Sequence, residues 1–277
     1  MKNLLLLLGC MLATTLSIAQ KSKVTTLHKS NIDTTRFALI DGGMYPMGNI
    51  KPVESHEAPE HIVTVSSFYL AKTEITFDEY DNFCLATKKD TTNARGFGRG
   101  KHPTITVSWN DAIAYCNWLS GKEKLSKCYI IDSLGVHFLD TAKGYRLPTE
   151  AEWEFAARGG NKTKGTYHSG ANNLDEVGWY KLNSGEHTWP VAQKKPNELG
   201  IYDMSGNVWE WVWDFYDANY YSHSDASNPK GPESGQYRVM RGGAFYNYAN
   251  YTQVYTRQNH HPGFMQNSVG FRIARNY

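Results

Sequence analysis

The sequence predicts a compact, irregular α+β domain, rich in loops, with a few short helices and strands. Three observations carry that expectation. Among 277 residues there are 8 Trp, 18 Tyr, 11 Phe and 24 Gly, a composition of large rings and frequent turns rather than long helices. Three segments open with helix-capping signals, and between them lie short apolar runs broken by Gly, Asn and Pro. There is no internal repeat, no heptad pattern and no composition break that would split off a second domain. With 40% hydrophobic and 20% charged residues, the chain can bury a sizeable core and lies outside the disordered class. Lys and Arg number 29 against 27 Asp and Glu. That near-balance, without runs of like charge, argues against a nucleic-acid binder working through a broad basic face.

The start of the chain reads as an address. Met1-Lys2-Asn3 is followed by an apolar stretch to Ile18, and Ser17 and Ala19 sit at the −3 and −1 positions before Gln20. Residues 1–19 are therefore expected to be a signal peptide, too short in apolar length for a spanning helix, and the protein to be exported, periplasmic or secreted. Lipoprotein processing at Cys10 ranks below this, because few apolar residues precede that cysteine. Residues 20–35 are polar and basic and read as a linker, leaving 36–277 as the folded domain. Export leaves Cys84, Cys116 and Cys128, an odd number with no CxxC spacing.

Each element has a local reason. Residues 37–47 (FALIDGGMYPM) read as strand, Gly-Gly turn and second strand, and the partly alternating run 62–70 as another strand. Thr76 and Glu79 form a capping box ahead of a helix that places Tyr80, Phe83, Cys84 and Thr87 on one face. Ser108 with Asp111 opens a second helix with Ala112, Ile113, Cys116 and Leu119 inward. Cys84 and Cys116 thus lie on apolar faces, either as buried thiols or as a disulfide. Thr149 with Glu152 opens a third helix that stops at Gly159-Gly160. The alternating aromatics Trp209, Trp211 and Trp213 predict a strand with one packed face and one ring-lined face.

Six ordered strings then resemble one family. They are GGMYPMG (42–48), KTEIT (72–76), YRLPTEAEWEFAARGG (145–160), GIYDMSGNVWEW (200–211), RGGAF (241–245) and GFR (270–272). Together they resemble the formylglycine-generating enzyme, or sulfatase-modifying factor, domain over roughly residues 36–275. The resemblance implies a loop-rich fold related to C-type lectins. It also implies calcium at the DMSGNVWE string, with backbone oxygens from Gly206 and Val208 and side chains of Asp203 and Glu210. Two carboxylates around a Gly turn are independently what a hard, oxygen-seeking cation requires. A second calcium site would fall at Asn173 and Leu174, where the following segment is spaced differently.

The family oxidises a cysteine of a target sulfatase with O₂, using two thiolates that bind Cu(I). Those two positions here are Asn247 and Thr252. Hard neutral groups do not replace soft thiolates for Cu(I), so copper is not expected and no catalytic residue is assigned. The partner of Cys116 in the family's disulfide falls at Ile273. Two readings follow. The first is an exported, calcium-stabilised binding or accessory module without formylglycine formation. It would use Asn247, Tyr248, Asn250, Tyr251, Arg257 and His260 to line a groove for a peptide, protein or glycan. The second is a metal-dependent oxidoreductase of the same family with other ligands, for which His260 and His261 with His223, Asp214 or Asp217 are the candidates. The string His56-Glu57-Ala58-Pro59-Glu60-His61 imitates a helical zinc motif, but Pro59 would break the helix and a strand follows.

Overall fold

The computed structural model describes residues 32–277. The signal peptide expected at 1–19, and the linker up to residue 31, lie outside them. All three capping boxes form. Thr76 accepts from the Glu79 amide at 3.4 Å while the Glu79 carboxylate accepts from the Thr76 amide at 2.8 Å, opening α1 (Phe77–Thr87). Ser108 and Asp111 open α2 (Trp109–Lys122), and Thr149 and Glu152 open α3 (Glu150–Ala157). A one-turn helix, α4 (Leu174–Val177), is capped by Asn173. Each side-chain oxygen satisfies amides that the first helical turn leaves unpaired.

The strands are β1 (Phe37–Ile40), β2 (Gly43–Met47), β3 (His61–Val65), β4 (Phe68–Ala71), β5 (Tyr129–Asp132), β6 (Gly135–Phe138), β7 (Tyr145–Arg146), β8 (Trp209–Phe215), β9 (Arg238–Arg241), β10 (Arg257–His260), β11 (Val269–Phe271) and β12 (Ala274–Asn276). One sheet runs β1-β4-β12-β7 and another β10-β9-β8-β11, with hairpins β2-β3 and β5-β6 beside them. The Gly-Gly turn after β1 does separate two strands, but they do not pair. Phe37 lies opposite Ala71 and Gly43 opposite Val65. The single run expected at 62–70 is two strands divided at Ser66-Ser67.

Most of the core among the described residues falls into two clusters. Trp109, Tyr115, Trp211 and Phe271 join α1 and α2 to the second sheet. Trp153 and Phe155 join α3 to Met47, Val63 and Val212. Strand β8 separates them. Trp209, Trp211 and Trp213 face the first cluster, and Glu210 and Asp214 turn toward α3, where they accept from Trp153 Nε1 (2.8 Å) and the Glu150 amide (2.7 Å). The face of β8 toward α3 therefore carries no rings; the rings lie on the other face, buried at Trp209 and Trp211 and half-buried at Trp213 and Phe215. Cys84, Cys116 and Cys128 are free and buried, so the possible Cys84–Cys116 disulfide is not formed. Burial pushes all three thiols up from their ordinary value, which keeps them as inert packing groups.

Every residue of α3 is buried, its three glutamates included. Arg257 grips Glu150 with Nε at 2.7 Å and Nη2 at 2.8 Å. Arg146 grips Glu152 at 2.6 and 2.7 Å. Arg241 and Arg158 share Glu154, which also accepts from the Gly48 amide at 2.9 Å. Removing one charge of a buried pair strands the other in low dielectric, at a cost of about 3–5 kcal/mol. Glu154→Gln is accordingly expected to lower unfolding free energy by about that amount in guanidinium titration, more than the same change at exposed Glu176. Burial opposes the charge on Glu150, yet Arg257 and Arg241 outweigh it and hold its carboxyl below the ordinary value of 4.5. A depressed folded-state value stabilises above 4.5 and loses that contribution as pH falls through the lowered value. Denaturation midpoints measured down the acid limb should therefore fall more steeply for wild type than for Glu150→Gln.

Candidate binding turn and calcium loop

Strand β9 ends in Gly242-Gly243, both with positive φ, +97° and +75°. A Cβ on Gly243 would stand 2.4 Å from the Tyr251 carbonyl oxygen, so only glycine lets residues 244–252 fold back on the strand. The turn closes on its own polar groups. Asn247 Oδ1 accepts from the Ala244 amide at 2.9 Å, and the Asn247 amide donates to the Ala244 carbonyl at 2.9 Å. Thr252 is fully buried; its hydroxyl donates to the Ala249 carbonyl at 3.0 Å and lies 3.4 Å from His168 Nδ1. The two positions where the resemblance places copper-binding cysteines thus carry a turn clasp and a buried cap.

Between them the turn presents rings to solvent. Tyr246 is 40% exposed, Tyr248 54% and Tyr251 36%, and Asn250 is exposed. The Lys181 ammonium sits 4.8 Å from the Tyr248 ring centre, a cation–π contact that fixes the ring. Tyr248, Asn250 and Tyr251 are thus brought together on one accessible turn, with Asn247 half-buried beneath them as a clasp.

Arg257 and His260 do not belong to that group. Arg257 is buried on Glu150 and against the Tyr221 ring at 4.1 Å; an arginine in the groove-lining stretch of sequence proves to be a core ion-pair partner. The register sets His260 opposite Arg238 and Arg257 opposite Arg241. His260 therefore lies at the end of β10 away from the 242–252 turn, stacked on Phe264 at 3.4 Å. Asp214 is buried beneath α3, while His223 pairs with Asp217 at 3.7 Å. Among the described residues no three His, Cys, Asp or Glu side chains converge to hold a metal ion, so the His-plus-carboxylate centre is not assembled. In the 56–61 string, Glu57 caps a single 3₁₀ turn and His61 begins β3, as Pro59 implied.

The DMSGNVWE string is a loop with positive φ at Asp203 (59°), Gly206 (95°) and Asn207 (60°). Asp203 Oδ2 accepts from the Ala192 amide at 2.8 Å, and its Oδ1 is buried without a partner. Both oxygens of Glu210 are held by Arg272, at 2.6 and 2.7 Å, and Oε2 also accepts from Trp153. Glu74 is a third buried carboxylate that sequence reading missed, accepting from Asn207 Nδ2 at 2.8 Å. Burial pushes Asp203 up to about 6. Burial, then the charges of Asp203 and Glu210, drive Glu74 well above the carboxylate range. Of these three carboxylates Glu210 alone bonds Arg272, and Glu74 is held by Asn207 and the Val208 amide, which leaves the buried Asp203 Oδ1 without a partner. That single unpartnered oxygen, beside the turn's own carbonyls, is the feature that fits a hard cation at Asp203. At the second expected position, Asn173 Oδ1 caps α4 by accepting from the Asp175 amide at 3.2 Å, and Leu174 packs on Val177 and Tyr180. No buried carboxylate joins them there.

Other residues that sequence reading did not single out hold these loops. Asn207 receives the Trp189 amide at 3.0 Å and donates to the Trp189 carbonyl at 3.2 Å. His168 is buried behind Thr252. Neither has a local pattern; each is recognisable only once its distant partner is in place. A Cβ on Gly206 would lie 2.2 Å from the Trp179 carbonyl oxygen, whereas one on Gly165, also at positive φ, would meet nothing within 4 Å. Gly206→Ala should therefore cost more stability than Gly165→Ala in matched denaturant titrations. The common backbone strain is of order 1–3 kcal/mol, and the excess reports the close approach of the two loops.

The comparisons with known proteins agree with this architecture. The family described as "Sulfatase-modifying factor enzyme 1-like domain" matches residues 22–277. The protein named "Chaperone protein LppX" from Paenibacillus barcinonensis is 36% identical over 248 residues, 78% of this chain and 80% of that one. The formylglycine-generating enzyme of Streptomyces coelicolor is 34% identical over 194 residues, 64% of this chain and 54% of the enzyme. Among solved structures, Treponema denticola variable protein 1 superposes with a TM-score of 0.75 at 33% identity, covering 87% of this chain and 95% of that one. PvdO from Pseudomonas aeruginosa gives 0.70 at 26% identity, covering 87% and 94%. With its motifs, its fold and this match over nearly the whole described chain, the protein belongs to the sulfatase-modifying factor family.

Proposed function

We propose that the chain is an exported binding or accessory module of this family. In this reading it does not convert cysteine to formylglycine, and it presents the 246–251 turn to a peptide, protein or glycan. The observation that carries the reading is the chemistry at 247 and 252. An amide and a hydroxyl stand there, each engaged in local hydrogen bonds, where Cu(I) capture needs two soft thiolates. Cys84, Cys116 and Cys128 lie buried elsewhere. Exposed tyrosines beside an asparagine suit recognition by ring contact and amide hydrogen bonds. A relative whose name includes "chaperone" is in keeping with binding.

Calcium is the proposed structural cofactor. Asp203 with the backbone oxygens of Gly206 and Val208 would hold it, beside Glu210 and Glu74. Bound there, it supplies positive charge to a carboxylate-rich loop and ties segments that have little regular structure. The test is elemental analysis of the mature protein purified without chelator, combined with incubation against a sulfatase-type cysteine peptide under O₂. The expected result is calcium near one per chain, a lower melting temperature after chelation, and no aldehyde on the peptide. Stoichiometric copper or iron, or a peptide aldehyde formed by wild type, overturns the reading in favour of an oxidoreductase with non-cysteine ligands.

A further inference from the structure

We propose a second binding site apart from the 246–251 turn, two adjoining clefts shaped for a neutral oligosaccharide. The first, of about 330 Å³, is lined by Ser66, Ser67, Phe138, Thr141, Arg146 and Tyr277, among others. The second, of about 440 Å³, runs between the β5-β6 hairpin and residues 230–233, with Trp213 and Phe215 on its wall. Phe138 and Lys230 line both, so the clefts adjoin at these two side chains. Each volume lies in the range of small-molecule sites, about 300–1,000 Å³.

The lining selects the ligand class. Its charges in the first cleft are already matched. Arg146 is held bidentate by Glu152 at 2.6 and 2.7 Å, Lys230 meets Asp140 at 2.5 Å, and Lys143 donates to the Tyr277 carbonyl at 2.8 Å. In the first cleft a strongly charged ligand would have to break these pairs, and a neutral one would not; in the second, the carboxylates of Asp225 and Glu233 on the lining disfavour an anionic one. What remains on offer is a set of hydroxyls from Ser66, Ser67 and Thr141, with polarised donors and acceptors at the pairs. Vicinal diols satisfy such groups. The apolar component is aromatic. Phe138, Trp213 and Phe215 are each half-buried, with Phe138 and Trp213 centred 5.0 Å apart. Arg238 covers the Phe215 ring at 3.4 Å and Tyr129 stacks on Trp213 at 5.4 Å, so Phe138, at the junction of the two clefts, is the ring offered to the C–H face of a pyranose, beside polar groups that suit its hydroxylated rim. A chain of two or three sugars would cross Phe138 and reach both clefts. The site is independent of the 246–251 turn, none of whose residues lines either cleft.

The test uses the full chain on a printed array of neutral plant, microbial and animal glycans. Calorimetry on the binders follows, with tryptophan fluorescence as a second readout. At least one oligosaccharide should bind with Kd below about 1 mM. Thr141→Trp, which fills the first cleft from an exposed position, should weaken it at least about tenfold, equivalent to 1.4 kcal/mol. Lys230→Met, on the shared rim, should also weaken it, in a protein whose melting curve matches wild type. No binder on the array overturns the proposal. So does binding untouched by both variants. Loss of sugar binding in Tyr248→Ala instead would place the ligand on the 246–251 turn and overturn this site while supporting that one.

Discussion

The buried carboxylates of α3 are the constraint on which the rest of the structure depends. An eight-residue helix is too short to hold itself together in water, and this one has no exposed residue at all. Glu150 and Glu154, one turn apart on the same face, both meet Arg241, while Glu152 turns to Arg146. Arg146 is supplied by β7, Arg241 by β9 and Arg257 by β10. Glu210 and Arg272 repeat the device on β8 and in the β11-β12 link. Buried pairs of this kind add little net stability over apolar packing, but a mispaired alternative is heavily penalised. Their role here is placement. The grip of Arg241 and Arg257 on α3 sets where β9 and β10 end, and so where the 242–252 turn leaves the sheet.

The loops around that turn are ordered by a different means. Residues 178–208 contain no helix or strand, a length that ordinarily implies a loop with a job or one without order. Here a stack of rings takes the place of a sheet. Trp179 and Trp189 lie parallel with centres 4.3 Å apart, His187 leans on Trp189 at 5.0 Å, and the Lys194 ammonium covers Trp179 at 4.0 Å. Asn207 pins Trp189 at both its amide and its carbonyl. The abundance of aromatics that marked the sequence thus has a structural cause. Rings provide large, rigid contact area where the backbone cannot supply a ladder of hydrogen bonds.

What could be read from the sequence was what is decided locally. The three capping boxes formed because a cap and its partner are three residues apart, and the Gly-rich motifs marked turns that only glycine can make. What depended on distant partners was not legible. Phe37 and Gly43 each belonged to a strand, yet nothing local reveals that their partners are Ala71 and Val65 rather than each other. Arg257 read as a groove residue because a charged side chain after an exposed tyrosine turn resembles surface; its carboxylate is 107 positions away. His260 was near the turn in sequence and remote from it in register. The alternating tryptophans of β8 identified the strand correctly. They misplaced its second face, which carries Glu210, Val212 and Asp214 against α3 and no rings. Of the expected calcium set, Asp203 kept a free oxygen and Glu210 did not, a difference made by Arg272, 62 positions on.

The turn itself shows how a scaffold and its chemistry separate. Around positions 247 and 252 the supports all remain: Gly242 and Gly243, the Phe245 amide on the Asn207 carbonyl at 2.9 Å, and the buried arginine that ends β9. The side chains at the two positions face the demands of the turn alone. Asn247 closes the loop through Oδ1 and Thr252 ties it to Ala249. Both are hydrogen-bond groups that complete their valences within about one turn of backbone, so the segment is self-satisfied without a metal. A thiolate at 247 would take away the amide oxygen that receives the Ala244 amide, whereas at 252 the Ala249 carbonyl would keep the backbone amide of that residue as its donor. With an amide at 247 and a hydroxyl at 252, the turn holds its own shape and leaves its tyrosines outward. Chemistry in such a fold resides in the few atoms on this turn, not in the architecture that carries them.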